Sequence, residues 1–264
     1  MLLCLDVGNS TIYGGVFAEE GLRVQFRKST HPLGSSDELG VFILSVLDAN
    51  GVDPDRVERI AICSVVPAAL HPLRNASLKY FDCEPFVLQA GVKTGLKVKY
   101  RNPHEVGADR IAVAIAAVDR NPGRNLIVVD CGTATTFDVI TASADYLGGA
   151  IMPGVGTSAE ALASHTAKLP RVEISRPAAV VGKNTVESIQ SGLFHGHVGA
   201  IRHMLAEITK EAFADARPRV IGTGGFSRMF EAERVFDEVV PELVLLGLRR
   251  AEALNREAAP EPGK

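Results

Sequence analysis

Two short loops in this chain of 264 residues carry the same residues at the same spacing. Asp6-Val7-Gly8-Asn9-Ser10-Thr11 follows the apolar run Leu2-Leu3-Cys4-Leu5, and Asp130-Cys131-Gly132-Thr133-Ala134-Thr135 follows Leu126-Ile127-Val128-Val129. Asp6 and Asp130, Gly8 and Gly132, and Thr11 and Thr135 are all separated by 124 positions. Each loop leads into another strand-like segment. A strand-loop-strand unit that recurs in this way reads as an internal duplication. The length suits two small halves around such units. We place them at residues 1–118 and 119–255, with a Pro/Gly/charge-rich tail at 256–264 expected to fray.

The loops have a definite chemistry. A glycine just after a strand lets backbone N–H groups come close to a phosphate. The hydroxyls of Ser10, Thr11, Thr133, Thr135 and Thr136 can donate further hydrogen bonds to its oxygens. The carboxylates of Asp6 and Asp130 cannot face phosphate without a cation between them, so the pair implies Mg²⁺ or another metal bridging to the phosphates. Asx turns closing two strands are the bland alternative, and the recurrence weighs against it.

Between the loops the pattern predicts a hairpin (12–18 and 22–28), a helix over 37–49, a strand over 60–66, a helix over 68–80 and a short strand at 86–88. A helix is predicted over 103–119, with Pro103 in its first turn. Gly107-Ala108-Asp109-Arg110 then lies in its first turns. Asp109 would take a proton from a substrate hydroxyl, and Arg110 would hold an anionic group. A helix N-terminus favours the ionised acid, so Asp109 is expected to be a weak base. Further on, Thr157 and Glu160 are spaced as a capping box for a helix to about Lys168, and Asn184 and Glu187 repeat the signature before a long helix. Gly192, Gly196 and Gly199 lie inside that helix, where close approach of another helix would compensate their cost. Gly222-Thr223-Gly224-Gly225 is either a nucleotide-side turn or only a tight one. A last helix is predicted to end near Asn255.

Other chemistries lack their marks. The chain has no G-x-x-x-x-G-K-[ST] loop, no G-x-G-x-x-G opening a helix and no G-x-S-x-G elbow. Cys4, Cys63, Cys83 and Cys131 are scattered and read as reduced thiols of a cytoplasmic protein. The seven histidines form no ligand set and are expected to be solvated or at the core edge. A net charge of −3 gives no general reason to bind nucleic acid or anionic membrane. No apolar run reaches the ~18 residues of a membrane span, and the N-terminus lacks the basic region of a signal peptide.

Taken in order, Asp6-Val7-Gly8-Asn9-Ser10, Gly107-Ala108-Asp109-Arg110, Asp130-Cys131-Gly132-Thr133-Ala134-Thr135-Thr136, Leu147-Gly148-Gly149-Ala150-Ile151-Met152-Pro153-Gly154, Thr166-Ala167-Lys168-Leu169-Pro170 and Gly182-Lys183-Asn184-Thr185 resemble the type III pantothenate kinases. The resemblance implies an α/β fold of two duplicated actin/RNase H-like halves, each a mixed sheet with flanking helices, around a nucleotide cleft. It implies phosphorylation of pantothenate by ATP in coenzyme A biosynthesis. It also implies Mg²⁺, a monovalent cation (K⁺ or NH₄⁺) and a cytoplasmic homodimer with the acceptor site near its interface. By position, Asp6, Val7, Gly8, Asn9, Ser10, Thr11, Ile12 and Tyr13 match the first phosphate loop, with Asp6 acting on Mg²⁺ indirectly. Thr133 matches an ATP contact and Asp130 the monovalent-cation ligand. Asp109 matches the proton acceptor. Tyr100, Gly107, Ala108, Arg110 and Thr185 match pantothenate-binding positions, Thr185 reaching a neighbour's site. Cys131 stands at a variable position and is expected to face the core. A superfamily kinase with another acceptor, or a regulatory protein of the same fold, are the competing readings, since some relatives were first described as accessory factors for transcription.

Overall fold

Alternating apolar residues set up two sheets with one wiring. The computed structural model describes residues 1–256; the expected frayed tail lies, apart from Arg256, outside the described residues. The first sheet contains β1 (Leu2–Val7), β2 (Thr11–Ala18), β3 (Gly21–Ser29), β4 (Arg59–Ser64) and β5 (Phe86–Val87), in the order β3-β2-β1-β4-β5. Next along the chain are β6 (Lys97–Val98), β7 (Leu126–Cys131), β8 (Ala134–Ile140), β9 (Asp145–Pro153), β10 (Arg219–Thr223) and β11 (Glu238–Val239). They form a second sheet in the order β11-β10-β7-β8-β9-β6. Apart from β6, the two orders are the same. In each, the strand leading into an Asp-x-Gly loop pairs antiparallel with the strand that follows and parallel with a strand reached by a long crossover.

The register refines the duplication. Val7 pairs with Ile12, so four residues make the first loop; Cys131 pairs with Thr135, so three make the second. The common offset therefore holds through the aspartates and glycines and drops by one at the returning strand. Thr11 corresponds in space to Ala134, not to Thr135. The turn hydrogen bonds agree, Gly8 N–H donating to Thr11 O and Gly132 N–H to Ala134 O, each at 3.0 Å.

In the first half, α1 (Ser36–Ala49) and α2 (Pro67–Phe81) cover one face of the sheet. Ser35 and Glu38 close a full capping box at the start of α1, and Pro67 occupies the first turn of α2. Leu39, Ile43 and Leu47 of α1 and Leu73 and Ala76 of α2 meet Leu3, Leu5, Val7, Ile60 and Ile62 from the strands. Because side chains alternate, Cys4, Asp6, Ala61 and Cys63 point to the other face. That face is covered by α6 (Leu243–Arg256), which in turn meets α3 (Ala108–Arg120) at Gly247 and Ala112. In the second half, α5 (Thr185–Phe213) lays Phe194, Val198 and Ile201 on Ile127, Val129 and Cys131.

By contacts the chain divides into two units. One comprises Met1–Leu96, Arg101–Asp119 and the described residues from Leu243 on; the other comprises Lys97–Tyr100 and Arg120–Glu242. The sequence division put 119–255 in one half. Instead α6 returns to the first unit, where it packs on β1 and β4. The cause is a close backbone crossing, since Gly247 lies directly on the Ala112 carbonyl of α3 and a Cβ there would overlap it. Gly247→Ala should therefore lower stability by about 3 kcal/mol, read as an earlier urea midpoint.

Candidate active site

The first Asp-x-Gly loop is a tight, externally tied turn. Besides its own hydrogen bond, the fully buried Thr30 donates Oγ1–H to Gly8 O at 2.7 Å and N–H to Ser10 O at 3.0 Å. Asn9 and Ser10 are exposed, whereas Val7 and Ile12 are core side chains that offer a ligand only their backbone. Tyr13 is buried, with its hydroxyl donated to Gln25 Oε1 at 2.7 Å and the Arg27 guanidinium over its ring.

Asp6 ends β1 between two neighbours on the same sheet face, Tyr13 across the antiparallel pair and Cys63 across the parallel one. Cys63 donates its thiol to Asp6 Oδ1 at 3.2 Å. Burial, and next the charge of Asp109, push the Asp6 carboxyl up to about 7; the thiol hydrogen bond works the other way. Burial also holds the Cys63 thiol well above its ordinary value, so it is a protonated donor.

Asp109 sits in the first turn of α3. The predicted start at Pro103 is corrected: Pro103–Glu105 form a separate 3-10 turn capped by Asn102, and extended backbone at Val106 delays the helix to Ala108. Asp109 Oδ1 accepts the Arg110 N–H at 2.8 Å, and its carboxylate fills the space beside Gly107. The sequence expectation of a low-pKa acid is also corrected. Burial raises Asp109 and outweighs the Arg110 N–H and guanidinium, which lower it. Arg110 is buried, and Ala108 is half-buried at the helix start.

The second unit holds the other loop. The Asp130 carboxylate lies against Gly224, whose φ of +86° suits glycine and where a Cβ would overlap Asp130 Oδ1. The Gly222–Gly225 segment is thus the backing of Asp130. Thr133 is exposed at the loop tip, and its carbonyl accepts Gly154 N–H at 3.0 Å and Thr157 Oγ1–H at 2.5 Å. Thr157 is therefore a loop tie. The helix α4 (Val155–Ser164) starts earlier, capped by Gly154 with no side-chain hydrogen bond. Thr135 is buried, which removes its hydroxyl from any phosphate, and Cys131 faces the core as expected. His197, expected to be solvated or at the core edge, is buried, with one ring nitrogen against Leu193 O and the other near Pro153 O.

Asn184 caps α5, accepting Glu187 N–H at 2.9 Å. Thr185 follows, exposed, and lines a groove with Thr157, Leu162, Ile189 and Gly196. Added Cβ atoms at Gly192, Gly196 and Gly199 meet open space, so the expected close helix approach is absent among the described residues. Tyr100 lies in the second unit with its ring against Gly148 of β9. The structure thus gathers Asp6, Gly107, Asp109 and Arg110 in the first unit, and Asp130, Thr133 and Thr185 in the second. Sequence reasoning missed Cys63 and Thr30. Cys63 was recoverable by pairing the ends of the two apolar strands; nothing local marked Thr30.

Among the described residues, no group of three or more His, Cys, Asp or Glu is arranged to hold a metal. The donors present are one carboxylate per loop with hydroxyl and backbone oxygens. That set fits a hard cation shared with phosphate and water rather than a protein-only cage. Burial and the charge of Asp109 both disfavour the ionised form of Asp6, and the Cys63 thiol favours it.

These sheets and loops define an α/β fold of the actin-like kinases and ATPases. Among solved structures, a Campylobacter jejuni protein described as a Baf-family transcriptional activator shares it at TM-score 0.61 and 20% identity, over 97% of this chain and 99% of that one. The activator of the 2-hydroxyisocaproyl-CoA dehydratase from Clostridium difficile does so at TM-score 0.53 and 10% identity, over 100% and 99%. Residues 2–207 match the family model for type III pantothenate kinase. Relatives named type III pantothenate kinase are 52% identical over 255 residues in Legionella pneumophila strain Corby and 44% identical over 256 residues in Elusimicrobium minutum. Each alignment covers 97% of this chain and 99% of the relative. The chain belongs to the type III pantothenate kinase family and is a phosphotransferase.

The Asp6 environment has a pH signature. Its folded value near 7 lies above the unfolded value of about 3.9, so the folded state keeps the proton longer. Stability from this group is full at acid pH and is lost as pH rises from about 4 to about 7. Ligand-free Asp6→Asn should melt about 4 °C above the parent chain at pH 8, with the gap shrinking at pH 5.

Proposed function

We propose that this chain transfers the γ-phosphoryl group of ATP to the primary hydroxyl of pantothenate, with Asp109 as proton acceptor. The observation that carries this reading is Asp109 itself, a half-buried acid raised in pKa, beside Arg110 at the start of α3. Pantothenate offers one carboxylate and one primary hydroxyl, which suit a cation and a base. Arg110 and Tyr100 hold the acceptor, with backbone from Gly107 and Ala108 and the Thr185 hydroxyl of a neighbouring chain. The hydroxyl oxygen bonds to the γ-phosphorus as its proton passes to the Asp109 carboxylate and ADP departs. A raised pKa makes Asp109 a better base than an ordinary carboxylate.

Backbone and hydroxyls from Asp6 to Tyr13 contact the ATP phosphates, and Thr133 is a further ATP contact. Bound Mg²⁺ would neutralise charge developing on the phosphates, with Asp6 orienting it through water. Asp130 holds K⁺ or NH₄⁺. The open glycine face of α5 supports a homodimer contact. Four free cysteines support the reducing cytoplasm, and no helix among the described residues is long and apolar enough to cross a membrane.

Purified protein with ATP, Mg²⁺ and K⁺ is expected to release ADP only when pantothenate is added; pantothenate-independent release would overturn the reading. Asp109→Asn should lose about 100-fold or more in kcat while binding a non-hydrolysable ATP analogue normally. Asp130→Ala should no longer respond to K⁺; a rate still rising with K⁺ would move the cation site elsewhere.

A further inference from the structure

The parallel pairing of β1 with β4 puts Cys63 directly beside Asp6, and the pairing of β7 with β10 puts Thr223 in the matching place beside Asp130. In both halves the strand neighbour of the loop aspartate is a buried side chain able to donate a hydrogen bond. The two are used differently. Thr223 turns its hydroxyl to Pro241 O at 3.5 Å, and Gly224 backs the Asp130 carboxylate. In the first half the thiol itself reaches the aspartate, at 3.2 Å from Oδ1. A buried cysteine ordinarily serves as a small apolar side chain. Cys63 departs from that because alternation turns it away from the core of Ile60 and Ile62, onto the face that carries Asp6.

We propose that Cys63 is a positioning residue for the phosphoryl-transfer site: its thiol fixes Asp6 through Oδ1 and leaves the second carboxylate oxygen aimed at the cation that accompanies ATP. This rests on the reading above, in which Asp6 serves that cation. An aspartate on a strand end has a broad terminal torsion, and in a desolvated site few other donors constrain it. One weak donor at one oxygen is enough to select an orientation. Removing it lets the carboxylate rotate, so cation-dependent binding of the nucleotide suffers more than the transfer step.

The test compares Cys63→Ala, Cys63→Ser, Asp6→Asn and the double variant Cys63→Ala/Asp6→Asn. The readouts are calorimetric binding of a non-hydrolysable ATP analogue across a Mg²⁺ titration, and steady-state kinetics across the same titration. Cys63→Ala should weaken Mg²⁺-dependent binding about 5-fold with kcat within about 2-fold, and Cys63→Ser, which keeps a donor, should restore it. The double variant should be no weaker than Asp6→Asn alone, because the two groups act through one contact. Wild-type binding by Cys63→Ala alongside impaired Asp6→Asn would overturn the role of Cys63 alone, as would additive losses in the double variant. Unimpaired Asp6→Asn would overturn the reading of Asp6 and with it this proposal. A Cys63→Ala chain with a lowered melting temperature but unchanged binding reports packing only, and also overturns it.

Discussion

The constraint on which the first half depends is a carboxylate forced out of water. Asp6 ends the central strand of a sheet whose opposite face is a closed apolar core, and it lies on the side where α3 and α6 approach. Burial alone raises its pKa; Asp109, carried in by the first turn of α3, raises it again. Two acids within electrostatic reach of each other in a desolvated site are unfavourable unless something answers them. Among the described residues the answers are a thiol at Asp6, and two backbone N–H groups and the Arg110 charge at Asp109. In the proposed reaction such a site would meet a cation and a proton, the two things a phosphoryl transfer to an alcohol must manage.

The second half repeats the frame with different neighbours around its aspartate. The same strand order brings Asp130 to the end of its central strand. There the carboxylate is backed by Gly224, and the loop tip is tied by Gly154 and Thr157 through the Thr133 carbonyl. Both loops are tied from outside, the longer first one by Thr30 and the shorter second one through the Thr133 carbonyl. Duplication has kept the strands and let the loops diverge, so each half presents its aspartate with a different supporting cast.

Much of this was legible because strand-loop-strand units are local. The apolar runs, the glycines after them and the capping pair Asn184/Glu187 announce themselves within a few residues. What stayed hidden needed either register or competition between nearby signals. Equating Thr11 with Thr135 failed because a one-residue loop difference is invisible until the strands are paired. Pro103 looked like a helix start because proline suits a first turn equally well in a 3-10 segment. Thr157 had the spacing of a cap, but its hydroxyl found the Thr133 carbonyl. Asp109 was expected to be held low by its helix, and burial proved the larger effect, which no sequence position states.

The glycines make the same point in opposite senses. Gly247 in α6 looks like one more helix weakness, yet it lets two helices cross at their backbones and so returns the end of the chain to the first unit. Gly192, Gly196 and Gly199 have the spacing of a contact stripe, yet a Cβ added at any of them meets nothing among the described residues. A helix of this length that keeps three glycines on an exposed face gives up stability with no internal return. In the proposed homodimer a second copy would supply that return, and Thr185, exposed at the start of the same helix, would complete its acceptor site.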